Sequence, residues 1–454
     1  PWRDEADPWL VARDAGFPEI FRLMPYTGTP ALWYLLQACV AKLGAPYGGQ
    51  AVLHLSIATA AAAVWLLRAP FGLRRKTLVL LGYYMIYEYS VIARSYSLTI
   101  LLLFLIADQY RLRRSRSLWL GILLALLANA NAHGYFFALA TCIVLAVEQI
   151  GSQWRGLRWW FPRAKPSWAW VPGIVGIVAA TWQLWPPHDG QSSSFLQFFR
   201  PANLLVALDQ AFLPTANFAS FPVWGVGALV GGAVVILAYV KLAEQPHALA
   251  VTLGCHAGLA YILTFKYLGG VRHVGLLAFT LLYGQWIARR EAADPSPTVV
   301  PPESVRPRVA LAAEGLFDAC LLYACLVGVL ALQAEVGERF SDARQVADYL
   351  SSSGLTDHLI VAHQPPLASS ILPYLPGVRF WYPATGQVGT FMHWDQTFLQ
   401  RFAAPLDQVM GDALRQMHDR NLQRKSVVFV LTQPFPPAKE LGLELRLETP
   451  GRLF

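Results

Sequence analysis

The chain has 454 residues, of which 55% are hydrophobic and 14% charged, against roughly 25% charged in an ordinary soluble domain. Its mean hydropathy of +0.39 excludes a water-soluble globule of ordinary composition. The formal net charge of +8 does not indicate nucleic acid as a partner, because the basic residues are distributed between apolar segments. The composition predicts a protein embedded in a lipid bilayer.

The first predicted element is an amphipathic stretch within residues 1–50. Apolar residues from Trp9 to Leu23 are interspersed with charged ones, a pattern that suits a helix lying at the membrane surface. Pro30 is typical of a helix start, and the stretch 31–43 that follows carries aromatic residues suited to the membrane interface. Residues 1–50 are therefore predicted to form a first outer loop with interfacial helices.

A series of apolar stretches follows, each of roughly the length that a helix needs to cross a bilayer. We predict that residues 51–332 form a polytopic α-helical transmembrane bundle. The predicted spans are 51–68, 76–92, 95–110, 117–131, 134–150, 168–185, 222–241, 247–266, 271–288 and 309–332. Their sequences indicate unbroken helices.

Basic residues lie in every second connection between these spans. They are Arg68, Arg74, Arg75, Lys76, Arg111, Arg113, Arg114, Arg116, Arg155, Arg158, Arg163, Lys165, Lys241, Arg289, Arg290, Arg306 and Arg308. Because basic connections face the cytoplasm, the residues before 51 and after 332 are predicted to lie outside. A chain that begins at Pro1 on the outside is expected to lack a preceding helix, so that about 10–11 spans are expected in all.

Three further regions complete the predicted organisation. The outer segment 186–221 is long for a connection, so we interpret it as a lid, and the Pro-rich stretch 292–308 is a cytoplasmic linker. Residues 333–454 alternate helices with short apolar strands, which predicts a soluble extracytoplasmic α/β domain with parallel strands. Its predicted elements are helices 341–350 and 405–420 and strands 358–362, 377–381, 426–431 and 443–447.

Ionisable residues near membrane depth collect at the outer ends of the spans. Asp4 and Glu5 are adjacent acids, and one of two such carboxylates in a desolvated site can act as a base, although a pair of this kind in a loop is commonly only solvated. Glu88 and Arg94 flank the outer end of the second span. Charged groups at that depth are functional or paired, so an ion pair between these two residues is the alternative to a site.

A second group of candidates lies at two outer turns. His133 follows the fourth span, where a helix-capping or core role is the alternative to ligand binding. Lys266, Arg272 and His273 surround a Gly-Gly turn beside a helix start, an arrangement that favours phosphate. Snorkelling to lipid headgroups is the alternative for these cations, but basic residues are otherwise sparse outside, so we predict an anion-binding site.

These residues, taken in order, resemble motifs of the GT-C glycosyltransferases, in particular bacterial relatives of protein O-mannosyltransferases and aminoarabinose transferases. The matching segments are Asp4-Glu5, Thr29-Pro-Ala-Leu-Trp-Tyr-Leu-Leu36, Ala93-Arg-Ser-Tyr-Ser-Leu98, His133-Gly-Tyr135 and Tyr267-Leu-Gly-Gly-Val-Arg-His-Val-Gly275. The similarity covers roughly residues 1–290. Nothing in the C-terminal domain indicates an acceptor.

The resemblance implies an inverting transferase that moves a sugar from a polyprenyl-phosphate donor to a hydroxyl of a glycan, lipid or protein acceptor. It implies a bacterial inner membrane, with the site on the periplasmic or extracellular side. Asp4 would be the catalytic base, with Glu5 beside it. The donor phosphate, on which charge develops, would be bound by Lys266, Arg272, Arg94 and His273. The supporting residues would be Tyr96, His133, Glu88 and His54.

Two alternatives concern the cofactor and the class of protein. No cofactor is expected, and a divalent cation held by Asp4, Glu5 and His133 is the alternative, although these residues lack the spacing of a defined metal site. The rival function is a multi-span transporter or flippase for a lipid-linked or anionic substrate. Transporters place ionisable residues and broken helices near the bilayer midplane, whereas the polar groups here lie at outer helix ends. A bundle that only anchors the soluble domain would leave the first loop unexplained.

Overall fold

The computed structural model describes residues 3–114, 117–151, 170–190, 196, 198–215, 225–292, 307–337, 341–402, 404–419, 427–432, 444 and 446–449. The predicted basic connection 155–165 and most of the linker 292–308 lie outside these residues. The described chain is predominantly helical, with a small sheet region towards the C-terminus. This architecture agrees with the predicted combination of a helical membrane protein and a C-terminal α/β region.

The helices that precede the sheet are α1 (Arg3–Asp14), α2 (Phe17–Thr27), α3 (Leu32–Lys42), α4 (Gly48–Arg68), α5 (Leu73–Leu81), α6 (Tyr96–Gln109), α7 (Ser117–Ala128), α8 (Ala132–Gly151), α9 (Trp170–Leu184), α10 (Ala202–Phe212), α11 (Val226–Leu242), α12 (Pro246–Tyr261), α13 (Val271–Val274), α14 (Leu276–Ala292), α15 (Pro307–Gly337) and α16 (Ala343–Ser352). Within the described residues, four helical segments are long and apolar enough to span a membrane, namely Gly48–Arg68, Ala132–Gln149, Pro246–Lys266 and Leu311–Gly337. Shorter apolar helices pack around them.

The predicted spans fall on helices, but the prediction that they are unbroken is wrong at two places. The second span consists of α5 and a π-helical turn over Tyr84–Glu88, and the ninth is divided into α13 and α14 at Gly275. Close packing accompanies the first break, because a Cβ at Gly328 of α15 would lie 3.1 Å from the backbone nitrogen of Tyr83. α12 likewise ends in a π-helical turn over Ile262–Lys266.

The outer segment 186–221 is not only a loop. Its described part contains α10, in which Ala207, Gln210, Ala211 and Phe212 are buried against the bundle. The sequence interpretation missed this helix because its apolar stretch is too short to resemble a span.

Basic residues at the predicted cytoplasmic end form ion pairs with acids on other helices. Arg113 lies 2.8 Å from Glu148 and 2.6 Å from Glu291, and its side chain is only 4% exposed. Arg75 lies 2.7 Å from Asp318 on α15. Because removing one member of a buried pair leaves the other charge unpaired, these contacts tie the helices together at this end.

The C-terminal region contains a four-stranded sheet with strand order β3-β2-β1-β4. Its strands are β1 (Leu359–Ala362), β2 (Phe380–Tyr382), β3 (Gln387–Gly389) and β4 (Val427–Val430). β1 pairs in parallel with β2 and β4, which confirms the predicted parallel pairing, and β3 is an antiparallel addition that the sequence did not reveal. The predicted strand 443–447 lies partly outside the described residues, and its described positions are not in a strand. The helices that follow α16 are α17 (Pro365–Ala368), α18 (Gln396–Arg401) and α19 (Leu406–Asp419).

The first loop packs against the C-terminal region through α1. Leu10 belongs to the apolar core formed by α16 and β1, and Arg13 donates a hydrogen bond of 3.1 Å to the carbonyl of Leu372. Trp9 is likewise buried. The amphipathic pattern predicted a surface helix, but its apolar side is covered by protein, since hydrophobic periodicity alone does not distinguish a lipid partner from a protein one.

Candidate functional site

The candidate site centres on Asp4, in the first turn of α1. Its carboxylate Oδ2 lies 3.2 Å from Nη2 of Arg272, and its backbone carbonyl accepts a hydrogen bond from Arg94. The Asp4 side chain is 22% exposed and that of Arg272 is 9% exposed. The structure therefore brings together the predicted base and two predicted phosphate-binding cations, with the acid still accessible from outside.

The turn before Arg272 depends on its glycines. Gly269 has a φ of +70°, a conformation that favours glycine, and a Cβ there would lie 2.5 Å from Nδ1 of His273. The N–H of Gly270 donates a hydrogen bond of 2.7 Å to the same nitrogen. His273 therefore closes the start of α13 and fixes the helix from which Arg272 projects.

Glu5 holds the backbone segment that carries Arg94. Its described hydrogen bonds are to this segment and not to Arg272. Its carboxylate accepts a hydrogen bond of 2.7 Å from the N–H of Ala93. The amide of Gln50 donates to the carbonyls of both Glu5 and Ala93, at 3.2 and 3.3 Å. These contacts connect α1 to the segment that carries Arg94. Glu5 therefore helps to position Arg94.

A cluster of aromatic rings stands beside Arg272. The ring of His273 lies 5.2 Å from Tyr96, 5.3 Å from Tyr267 and 5.3 Å from His133, measured between ring centroids. His133 is buried, and neither of its ring nitrogens has a hydrogen-bond partner among the described residues. Among the described residues His133 makes no helix-capping contact, and its burial beside these rings agrees with the core alternative while it also adjoins the site.

The remaining supporting candidates lie behind the site. His54 is buried with its Nδ1 3.1 Å from the hydroxyl of Ser97, the residue after Tyr96. Glu88 accepts a hydrogen bond of 2.7 Å from the hydroxyl of Tyr83. Among the described ion pairs none joins Glu88 to Arg94, so the alternative of a structural pair between them is not supported.

Lys266 ends the π-helical turn on the other side of the Gly-Gly turn. The outer segment braces this turn, because the N–H groups of Phe198 and Arg200 donate to the carbonyls of Phe265 and Thr264 at 3.1 and 2.9 Å. The last carbonyls of a helix have no partners within that helix. Residues 198–200 satisfy two of them, so the segment contributes to the mouth of the site.

Asp7 is a buried acid that the sequence interpretation did not select. It lies one helical turn beyond Asp4, and its carboxylate accepts a hydrogen bond of 3.4 Å from the N–H of Met392 in the C-terminal region. Burial raises the pKa of the Asp7 carboxyl from 3.8 to about 6; the Met392 bond lowers this pKa, and the nearby charge of Asp4 raises it. The spacing of Asp4 and Asp7 on one helix face was the available signal.

The predicted ligands of a divalent cation are not gathered as a set. Glu5 is directed to Ala93, and His133 lies among aromatic rings. Within the ranges that the structure describes, no group of three His, Cys, Asp or Glu side chains is placed to hold a metal ion.

No family model, curated protein or solved structure matches the chain. The described geometry defines a site in which two guanidinium groups contact one aspartate, Arg272 through its accessible carboxylate and Arg94 through its backbone carbonyl. Such a site can bind an anion and accept a proton from a neighbouring hydroxyl.

Proposed function

We propose that the chain is an inverting glycosyltransferase of the GT-C type, which uses a polyprenyl-phosphate sugar as donor and a hydroxyl as acceptor. The observation that carries this proposal is the 3.2 Å contact between Asp4 and Arg272, two residues separated by 268 positions in the chain. The similarity of the motifs to those of GT-C enzymes provides the type of reaction. A lipid-linked donor also suits a site at the ends of apolar helices.

The reaction needs one base and one site for a departing phosphate. Asp4 accepts the proton of the acceptor hydroxyl as its oxygen attacks the anomeric carbon from the face opposite the phosphate. The new carbon–oxygen bond forms while the bond to the phosphate oxygen breaks, and the electron pair leaves with the polyprenyl phosphate. Arg272 and Arg94 stabilise the charge that develops on this phosphate, with Lys266 at the mouth of the site.

The supporting residues have distinct roles in this scheme. Glu5 holds the Ala93 backbone and so positions Arg94. His273 fixes the helix start from which Arg272 projects. The buried imidazole of His133, with Tyr96 and Tyr267 close to His273, forms an aromatic wall beside the sugar position.

The proposed location is a bacterial inner membrane, with the site and the C-terminal region on the periplasmic or extracellular side. The alternation of basic connections supports this orientation. A glycan, a lipid or a protein could supply the acceptor hydroxyl.

The test is sugar transfer by the purified full chain, reconstituted in lipid nanodiscs with a panel of polyprenyl-phosphate sugars. Asp4→Asn keeps the shape of the side chain and removes its basicity, so transfer should fall by about 10²-fold or more. The matched control is Asp14→Asn on the same helix, where the acid pairs only with the neighbouring Arg13 among its described contacts. Near-normal transfer by Asp4→Asn would refute the assignment of the base.

A transporter is the second candidate, and the helix breaks favour it. The π-helical turns at Tyr84–Glu88 and Ile262–Lys266 both adjoin the candidate site, and discontinuous helices commonly carry the substrate sites of transporters. Vesicles that accumulate a lipid-linked sugar without forming any glycosidic product would support this alternative. Formation of product in detergent, where no transport is possible, would exclude it as the sole function.

A further inference from the structure

The turn between α7 and α8 carries two asparagines that the proposed reaction does not use. This turn, residues 129–131, leads into α8 and to His133 in the aromatic cluster beside Arg272. Asn131 is only 3% exposed, and a buried amide needs partners for both its oxygen and its nitrogen. Its hydrogen bonds therefore identify the parts of the chain that the turn holds together.

The oxygen of the Asn131 side chain caps α8. Its Oδ1 accepts a hydrogen bond of 2.8 Å from the N–H of Gly134, the third residue of the helix, which is the usual contact of an asparagine that precedes a helix. A Cβ at Gly134 would lie only 2.4 Å from the carbonyl oxygen of Leu127, so the first turn of α8 is packed closely against the end of α7. The cap therefore fixes the part of α8 that contains His133.

The nitrogen of the same side chain reaches the segment that carries Arg94. Its Nδ2 donates to Oγ of Ser95 at 3.2 Å and to Oγ1 of Thr99 at 2.7 Å, and both of these residues are buried. Ser95 directly precedes Tyr96, whose ring centroid lies 5.9 Å from that of His133. One amide group thus joins the start of α8 to the start of α6, where the two helices meet beside the site.

The other asparagine of the turn is held by different helices. The side chain of Asn129 donates a hydrogen bond of 3.0 Å to the carbonyl of Gly176 on α9 and accepts one of 2.9 Å from the amide of Gln183. Its backbone carbonyl accepts another, of 3.2 Å, from the N–H of Leu32 at the start of α3. Because these contacts do not involve Asn131, a shorter side chain at that position should release α6 and leave the turn in place.

We propose that Asn131 is a positioning residue of the candidate site, which sets the separation between His133 and the segment of Arg94. The role rests on the proposed function, in which Arg94 stabilises the donor phosphate and His133 lies beside the sugar. Asn131 acts through Ser95 and Thr99, so its loss changes the geometry of the site and keeps every group that contacts the donor. Misplacement of such groups by about 1 Å can cost up to about 10²-fold.

The test uses the full chain in lipid nanodiscs and measures the affinity for polyprenyl phosphate, together with KM and kcat for sugar transfer. Asn131→Ser keeps an oxygen that caps helices as well as asparagine does, but the serine side chain is too short to reach Ser95 and Thr99. Thr99→Val removes the acceptor Oγ1 and keeps the shape of the side chain. Each variant should weaken polyprenyl phosphate binding and raise the donor KM by about tenfold. Because both changes break the same connection, the double variant should bind no more weakly than Asn131→Ser alone.

Thr141→Val is the matched control for the loss of a buried hydroxyl. Thr141 is also on α8, is 0% exposed and shares a hydrogen bond of 3.1 Å with the hydroxyl of Tyr283. It lies about 12 Å along the helix from His133. Its melting temperature should fall about as much as that of Thr99→Val, whereas its affinity for polyprenyl phosphate and its donor KM should equal those of the wild type.

The outcomes separate this role from the proposed reaction. If Asn131→Ser and Thr99→Val lower the melting temperature but bind polyprenyl phosphate as the wild type does, Asn131 is only structural and the proposal is overturned. A wild type that binds polyprenyl phosphate but forms no product would refute the transferase reaction, and the affinities of the variants would still decide the role of Asn131. A wild type that neither binds polyprenyl phosphate nor forms product would overturn both.

Discussion

Gly275, which separates α13 from α14, is the position at which a single methyl group should disturb both the fold and the site. A Cβ there would lie 2.2 Å from Cε1 and 2.4 Å from Cδ1 of Tyr84. The Tyr84 ring cannot turn away freely, because its hydroxyl donates a buried hydrogen bond of 2.6 Å to the carbonyl of Gln210. Tyr84 also stacks on Tyr89, whose hydroxyl donates to the carbonyl of Arg272 at 2.8 Å.

The magnitude follows from these contacts. Overpacking a core costs about 1–3 kcal/mol, and loss of the Tyr84 hydrogen bond would add about 1–3 kcal/mol. The better helix propensity of alanine returns about 1 kcal/mol, so Gly275→Ala should lower the free energy of unfolding by about 1–5 kcal/mol. A displaced Tyr84 ring would also shift Tyr89, which holds the backbone of Arg272. Sugar transfer should therefore fall as well.

The assay compares thermal unfolding of Gly275→Ala with that of Gly232→Ala in the same detergent. A Cβ at Gly232 on α11 would meet nothing within 4 Å, so this control should match or exceed the wild type. Tyr84→Leu in the Gly275→Ala background should recover part of the loss, because the clashing ring is gone. Equal melting temperatures for the two alanine variants, or additive losses in the double variant, would refute the reasoning.

Two further predictions concern buried charges outside the candidate base. The pKa of Asp7 is raised to about 6, so its protonated form stabilises the fold below pH 4, and this contribution is lost as the pH rises through about 6. Between pH 4.5 and pH 7.5, the free energy of unfolding of Asp7→Asn should therefore change by about 2 kcal/mol less than that of the wild type. Arg113→Gln leaves the carboxylates of Glu148 and Glu291 without their shared cation, so it should destabilise the chain by about 3–5 kcal/mol in thermal or denaturant unfolding.

Controls for these variants come from exposed acids and cations. Asp357→Asn, which changes an exposed acid of the C-terminal region, is the matched control for Asp7→Asn and is melted in the same two buffers. Arg415→Gln removes an arginine that is 73% exposed and pairs with Asp412, so its effect should stay below about 1 kcal/mol. An Asp7→Asn variant with an unchanged pH profile, or equal effects of the two arginine changes, would contradict these expectations.

Much of the helical architecture could be predicted from the sequence, because apolar length and composition dominate the choice of structure in lipid. The contact of Asp4 with Arg272 was anticipated for a related reason: both are ionisable residues at outer helix ends. The parallel strands β1 and β4 were also predicted, because each is a short apolar run between polar residues. The roles of these site residues stay predictions.

What the sequence did not reveal depends on packing between distant parts of the chain. The break before Tyr84 reflects the close approach of α15, and the burial of Leu10 reflects the packing of the C-terminal region against α1. Asp7 acquires its raised pKa only through that same covering. β3 has three residues, which is too few for an alternating pattern to be seen.

The contact between Asp4 and Arg272 has a kinetic consequence for the proposed transferase. The Asp4 carboxylate is paired with the Arg272 guanidinium, so an anion that draws Arg272 away would free the carboxylate to act as the base. Donor binding would then have to precede proton abstraction, which predicts a compulsory order of substrates. An acceptor hydroxyl that arrives before the donor would meet a carboxylate still paired with Arg272, and its proton would stay in place.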